Sequence, residues 1–260
     1  MSLNDTDIVW TDRTYNYWRG CAKTSEGCRN CWAEDIMTRF GHTPEDWTVE
    51  NIDANLSIAD EDPVAELLPQ GDGQWIFTPS ASDPCLPWLP TDEREKWVQA
   101  LHENDQHCYQ VLTKWGAEEQ GLPAPDLPDN AMLGVSVESP RRKYRLDWLR
   151  EQDAAMKFVS FEPLVERIDA VDLTGIDWVI VGGESEVNPD DRRDMEPEWA
   201  VRLYENARAQ GVPFLFKQHS GRHAEENTEL KLDVGGYQKI REFPQTPDGV
   251  PDAPEEFRQT

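Results

Sequence analysis

The stretch "DWVIVGGES", residues 177–185, carries the pattern that decides the fold prediction. Its centre is a continuous apolar run rich in β-branched residues, which is typical of a strand buried on both faces. Five other stretches share this pattern: "WIFTPS" (75–80), "CYQVLTK" (108–114), "AMLGVSVES" (131–139), "KFVSFEPL" (157–164) and "PFLFKQ" (213–218). Together they predict a parallel β-sheet, with "TYNYWRGC" (14–21) as a candidate seventh strand.

Segments typical of helices separate these strands. Three of them begin near capping or acidic residues: 91–104, 139–152 and 196–211. The first and last of these also place apolar side chains on one face. A fourth helix is predicted for residues 30–41. Alternation of strand and helix predicts right-handed βαβ units. We therefore predict an α/β fold, a full or partial (βα) barrel of the TIM type with parallel strands. An open doubly wound sheet is the alternative.

The domain prediction is a single barrel-type domain with a tail. Residues 1–240 form the domain and carry a three-cysteine loop near the N-terminus, whereas residues 241–260 are acidic and rich in proline. Such a composition predicts a loosely packed tail.

The composition of the chain is strongly acidic. Its 260 residues include 51 Asp and Glu against 25 Lys and Arg, a formal net charge of −26. This balance predicts adaptation to high salt, and so a halophilic source. An acidic surface usually argues against nucleic-acid partners, but the argument loses force where all proteins of the source are acidic. With no apolar run near the ~20 residues of a membrane helix and no secretory pattern, we predict a cytoplasmic protein without a membrane partner.

Polar residues follow nearly every predicted strand. In a parallel barrel, active sites form at the C-terminal ends of the strands, and a charge directly after a buried run is costly unless something receives it. We therefore predict a shared pocket at this end of the barrel. Its candidate residues are Ser80, Asp83, Thr113, Lys114, Glu138, Glu162, Glu184, Ser185, Lys217 and Gln218. Two glycines at one strand end, Gly182 and Gly183, allow close approach of a ligand or a tight turn.

Three of the five cysteines are clustered in "YWRGCAKTSEGCRNCWAED", residues 17–35. Cys21, Cys28 and Cys31 are separated by six and then two residues. A structural zinc ion, a redox pair and a 4Fe–4S cluster are the three interpretations of these thiols. Zinc needs a fourth ligand, and its candidates, none at a customary spacing, are His42, His219, His223, Cys85 and Cys108. We favour the cluster, because three cysteines leave one iron open for a substrate or cofactor.

The motifs occur in an order that resembles a known family. "VWTDRTYNYWRGCAKTSEGCRNCWAE", "VLTK", "LGVSVES", "FVSFEPL", "DWVIVGGES" and "GVPFLFKQ" are similar to the three-Cys-motif proteins of bacteriophages and prokaryotes, a family of uncharacterised function. That family resembles radical S-adenosylmethionine (SAM) enzymes, which have a β/α barrel and a cysteine-rich loop after the first strand. The usual radical-SAM spacing is three and two residues, unlike the spacing of this chain.

The resemblance implies a set of site residues. Cys21, Cys28 and Cys31 would hold a 4Fe–4S cluster, with SAM at its open iron. Position at the strand ends, and not the resemblance, gives the other candidates: Lys114, Glu138, Glu162 and Lys217 as catalytic residues, and Gly182, Gly183, Glu184, Ser185 and Gln218 as cofactor-binding residues. The lysines would neutralise a carboxylate or phosphate, and the acids would bind hydroxyls or an amine or move protons.

The predicted function is a radical-SAM-like iron–sulfur enzyme. Its substrate is a small molecule or a nucleotide, and phage association suggests a nucleic-acid base or tRNA by analogy. One alternative is a zinc-binding, non-enzymatic module that contacts a phage or host protein. The other is a hydrolase or nuclease barrel with a divalent ion held by Asp83, Glu138, Glu162 and Glu184.

Overall fold

A computed structural model of the protein describes residues 3–67, 73–186, 190–223 and 227–253. In this part of the chain the strands are β1 (Asn4–Asp5), β2 (Arg13–Thr14), β3 (Trp18–Arg19), β4 (Ser57–Ile58), β5 (Trp75–Phe77), β6 (Cys108–Thr113), β7 (Ala131–Ser136), β8 (Met156–Phe161), β9 (Trp178–Gly182), β10 (Phe214–Gln218), β11 (Leu230–Leu232) and β12 (Gly236–Gln238). The helices are α1 (Trp32–Arg39), α2 (Ile52–Asn55), α3 (Pro63–Leu67), α4 (Thr91–Glu103), α5 (Tyr144–Glu151) and α6 (Pro197–Gln210). Short 3₁₀ turns cover Glu26–Cys28 and Pro140–Arg142. None of these helices is long and apolar enough to span a bilayer.

Eight strands form one curled sheet in the order β1-β2-β5-β6-β7-β8-β9-β10. β1 is antiparallel to β2, and every other neighbouring pair in this sheet is parallel. The order of the parallel strands follows the chain, whereas a doubly wound sheet reverses direction at a switch point. The molecule is therefore a half-barrel, and the prediction of a partial TIM-like barrel is confirmed.

The six principal strand predictions agree with β5 to β10, but the seventh, residues 14–21, does not form one strand. Thr14 ends β2 in the main sheet, where it pairs with Phe77. The chain then leaves the sheet, and Trp18 pairs with Ile58 of β4 instead. The chain turns again at Gly20, whose φ of 93° lies in the left-handed region that glycine adopts readily.

The two faces of the sheet are buried by different partners. The outer face packs against α4, α5 and α6 through buried side chains such as Trp97, Leu146 and Leu203. The inner face holds an aromatic cluster in which Trp178 lies 6.0 Å from Trp75 and 6.1 Å from Phe158, measured between ring centroids. Trp75 and Trp178 begin their strands, so this cluster lies towards the N-terminal ends, whereas Phe77 and Trp10 border the space at the C-terminal ends.

The described part of the predicted tail, residues 241–253, is packed against the barrel. Phe243 lies 5.4 Å from Trp178 and 5.8 Å from Trp75 between ring centroids. The indole N–H of Trp75 donates to the carbonyl of Pro251 at 2.9 Å, and Ala253 is buried in the same cluster. The expectation of loose packing is therefore wrong for these residues, because they cover the aromatic cluster on the inner face of the half-barrel. Residues 254–260 lie outside the described chain.

Candidate functional site

The C-terminal ends of the strands border a cavity of about 730 Å³. This volume falls in the range of small-molecule sites, about 300–1,000 Å³. The predicted site residues in its lining are Cys31, Ser80, Lys114, Glu162, Gly183, Glu184, Ser185, Lys217 and Gln218. The structure thus brings the polar ends of five strands together, as the sequence suggested. Of the other predicted residues, Asp83 and Thr113 line a smaller cavity described below, and Glu138 and Gly182 line neither cavity.

The three clustered cysteines line a second, smaller cavity of about 140 Å³. Cys31 and Lys114 line both cavities, so the two spaces adjoin at these side chains. A single water molecule needs only about 10–15 Å³ of such space, so the smaller cavity can take a group larger than one ion.

The cysteine thiols are all free of disulfide bonds. Burial raises the pKa of Cys21, and the charges of Asp83, Cys28 and Cys31 raise it further. Burial and Cys28 also raise the pKa of Cys31, whereas the backbone N–H of Glu34 and the Lys114 ammonium lower it. Without a bound metal ion the Cys21 and Cys31 thiols therefore resist deprotonation, and a metal would reverse this because its positive charge stabilises thiolates.

Within the described chain, no three His, Cys, Asp or Glu side chains form a group that could hold a metal ion. The three thiols nevertheless line one space. A mononuclear site requires convergence on a single atom, whereas in a four-iron cluster each cysteine binds a different iron. Three thiols are ligands that either species accepts, but a zinc ion would need a fourth ligand, whereas a cluster can be held by three cysteines.

The five candidates for a fourth zinc ligand do not line the thiol cavity. His42 lies 3.4 Å from the Arg19 guanidinium, and His219 lies 3.1 Å from the carbonyl of Glu229. Cys85 and Cys108 are buried in the hydrophobic cores, and His223 is exposed.

Lys114 places a cation between the thiols and a buried acid. Its ammonium donates to Ser136 Oγ at 3.0 Å and lies 3.8 Å from Glu138 Oε1. Burial alone lowers the pKa of Lys114, but the charges of Glu138, Cys28 and Cys31 raise it overall. The side chain therefore remains a cation where both cavities meet.

Glu162 and Lys217 form the other charged pair of the larger cavity. Lys217 Nζ lies 3.4 Å from Glu162 Oε1, and Ser160 Oγ donates to Glu162 Oε2 at 3.1 Å. Gly182 lies against the Glu162 carboxylate, so a Cβ there would clash with it. Both charged side chains are partly exposed and can contact a ligand.

The remaining strand-end acids are occupied by protein groups. Asp83 accepts from the Thr113 hydroxyl at 2.6 Å and from the backbone N–H groups of Cys85, Lys114 and Trp115. Glu138 is paired with the fully buried Arg145, and Glu184 with Arg193. Each of the four acids of the hydrolase alternative therefore has its own hydrogen-bond donors, and within the described residues no three of them form a group that could hold a metal ion.

The sequence interpretation missed two arginines of the site, Arg145 and Arg193. Arg145 carried a usable signal, because it precedes Leu149 by four residues and so shares the buried face of its helix. An arginine on a buried face needs an acidic partner. For Arg193 there was no such signal, since its position depends on how residues 190–195 fold over the cysteine loop.

These features define a class: a half-barrel α/β protein with a three-thiol cavity at the C-terminal edge of its sheet. The chain belongs to the family described as "Protein of unknown function (DUF5131)", whose model matches residues 5–246. No curated protein matches the chain, and no solved structure does. The family description assigns no activity, so the likeness to radical-SAM enzymes and the association with phages stay predictions.

Proposed function

We propose that this protein is a radical-SAM-type iron–sulfur enzyme. Cys21, Cys28 and Cys31 hold a 4Fe–4S cluster in the smaller cavity, and the larger cavity takes SAM and a substrate. The observation that carries the proposal is that three unpaired thiols line one space, which adjoins a ligand-sized cavity at the C-terminal ends of parallel strands. Active sites of barrel enzymes lie at this end of the strands.

A cluster held by Cys21, Cys28 and Cys31 would supply one electron from the external reductant, and this electron would split SAM into methionine and a carbon radical. The protein binds and orients the ligands and excludes water. Lys114 provides a fixed positive charge where the two cavities meet. Gln218, buried behind Gly183, donates to Ser185 and so fixes one wall of the larger cavity.

The larger cavity suits a substrate with an anionic group and a planar ring. Lys114 and Lys217 can neutralise a phosphate or carboxylate, and Glu162 can accept from a hydroxyl or amine. The ring would contact Phe77 and Trp32, of which Trp32 is 48% exposed at the cavity rim. A nucleotide combines these features, and exposed aromatic side chains stack on bases.

The test is anaerobic reconstitution with iron and sulfide, followed by addition of SAM and a reductant. We expect cluster absorbance and formation of deoxyadenosine in the wild type. The triple variant Cys21→Ala, Cys28→Ala, Cys31→Ala should lose both. The matched control is the double variant Cys85→Ala, Cys108→Ala, which removes cysteines that lie outside the thiol cavity and should keep both signals.

Three outcomes would contradict the proposal in different ways. Equal absorbance in the triple variant and the wild type would remove the cluster from these cysteines. A cluster without deoxyadenosine would remove the SAM chemistry. Stoichiometric zinc in natively purified protein, with unfolding on chelation, would establish the zinc-stabilised module instead.

A further inference from the structure

We propose that Glu138 and Glu184, at the ends of strands β7 and β9, are positioning residues that hold the loop between Cys21 and Cys31. They fix the three thiols around one cavity. This inference rests on the proposed function only in assigning those thiols a bound cluster.

Glu138 holds the middle of the loop. It is fully buried, and its Oε1 accepts from the Ser25 hydroxyl at 2.8 Å. Its Oε2 accepts from Arg145 Nη1 at 3.1 Å, so the carboxylate is fixed from the opposite side. Gly27 packs directly on this side chain, and a Cβ at Gly27 would clash with it. The contact therefore constrains the loop on both sides of Glu26.

Glu184 holds the end of the loop that leads into Cys31. Its Oε2 accepts from Asn30 Nδ2 at 3.0 Å and from the backbone N–H of Arg193 at 2.9 Å. Arg193 in turn donates from Nη1 to the carbonyl of Glu26 at 2.6 Å. One arginine thus links the second strand-end acid to the same loop that Glu138 holds.

The loop needs such external contacts because it has little regular structure of its own. Between Cys21 and Cys31 there is one 3₁₀ turn, Glu26–Cys28, closed by a hydrogen bond from the Cys28 N–H to the Ser25 carbonyl. A longer loop has more conformations to lose. Two buried acids, each two residues past the end of a strand, select one of these conformations before any metal binds.

Glu162, at the end of β8, provides the comparison within the same sheet. It pairs with Lys217 and Ser160 and lines the larger cavity. In the described chain its partners therefore lie outside the cysteine loop, although its position at a strand end is the same. A Glu162 variant should leave the loop unchanged.

The experiment measures thiol labelling in metal-free, reduced protein. Each cysteine is followed separately by mass spectrometry after exposure to a maleimide. Ser25→Ala and Asn30→Ala remove the loop side of each contact without leaving a buried charge unpaired. Glu138→Gln and Glu184→Gln weaken the strand side, because the amide keeps one oxygen acceptor but loses the negative charge. We expect labelling of Cys21, Cys28 or Cys31 to rise about tenfold, equivalent to about 1.4 kcal/mol of local stability. Glu162→Gln should match the wild type.

Cys85 and Cys108 serve as internal controls, because both are buried away from the loop and become labelled only if the whole protein opens. Unchanged labelling of the loop cysteines in Ser25→Ala and Asn30→Ala would overturn the inference, as would an equal rise at Cys85 and Cys108 in every variant. In reconstituted protein, the two loop variants should also broaden or shift the electron paramagnetic resonance signal of the reduced cluster. If the wild type forms no cluster but the labelling contrast holds, the positioning role stands and the proposed function fails.

Discussion

Glu26 lies in the loop between the first two cysteines, and its carboxylate is held by groups from the segment after β7. Arg142 Nη2 donates to Glu26 Oε2 at 2.7 Å, and the Ser139 hydroxyl donates to Oε1. Burial by itself raises the pKa of Glu26, but these donors lower it to about 2. A charged side chain of the loop therefore contributes to the folded state only while it is ionised.

This ion pair predicts a defined acid dependence of stability. The folded pKa of Glu26 is about 2 and its ordinary value is 4.5, so its contribution is fully present above pH 4.5 and is lost as the pH falls towards about 2. We expect Glu26→Gln to lower the free energy of unfolding by about 1–2 kcal/mol at pH 6, allowing for partial solvent screening. The difference from the wild type should shrink towards pH 3, as measured by urea unfolding.

The matched control for this prediction is Glu166→Gln, which changes an exposed acid outside the loop. Its effect on the free energy of unfolding should be small at both pH values. A cost of Glu26→Gln that is the same at pH 6 and pH 3 would show that packing, and not the charge, holds this residue.

At the scale of elements, neighbouring strands fit each other through residue size as well as hydrogen bonds. Gly134 of β7 is the register partner of Phe158 in β8, and the Phe158 ring fills the space that a side chain at residue 134 would take. Phe158 also packs on Trp178 and Trp10 inside the half-barrel. A glycine in the middle of a strand, which ordinarily weakens it, is here the residue that admits the aromatic cluster.

Gly134→Ala should therefore destabilise the protein by overpacking. The added Cβ would clash with the Phe158 ring, and overpacking of this kind costs about 1–3 kcal/mol. In a Phe158→Leu background the smaller side chain leaves room, so the cost of Gly134→Ala should fall by about 1 kcal/mol. Urea unfolding of the wild type, both single variants and the double variant measures this coupling. Strictly additive costs would show that the clash is relieved by backbone movement instead.

At the scale of the whole molecule, the sequence predicted the parts that depend on local pattern. The apolar runs of β5 to β10 are buried on both faces, so each could be recognised without its partners. The spacing of the cysteines predicted that the thiols lie together, and the ends of the predicted strands indicated where the acids lie. The pairing of those acids with Arg145 and Arg193 could not be predicted from the sequence, because it depends on how segments distant in the chain pack together. The packing of the tail was predicted wrongly for the same reason. Its apolar residues are few, and they are buried only because they contact the aromatic cluster inside the half-barrel.

The net charge of −26 predicts that the folded state depends on salt. An excess of like charge destabilises a compact chain, and screening shortens from about 10 Å at 0.1 M salt to about 3 Å at 1 M. Surface ion pairs weaken over the same range, but each contributes only about 0–1 kcal/mol, so relief of the net repulsion should dominate. We expect the thermal midpoint, followed by circular dichroism, to rise between 0.1 M and 2 M KCl. Sucrose at matched osmolality is the control for solute exclusion. A midpoint that stays constant or falls in KCl would contradict adaptation to high salt and leave the acidic surface as a device for solubility alone.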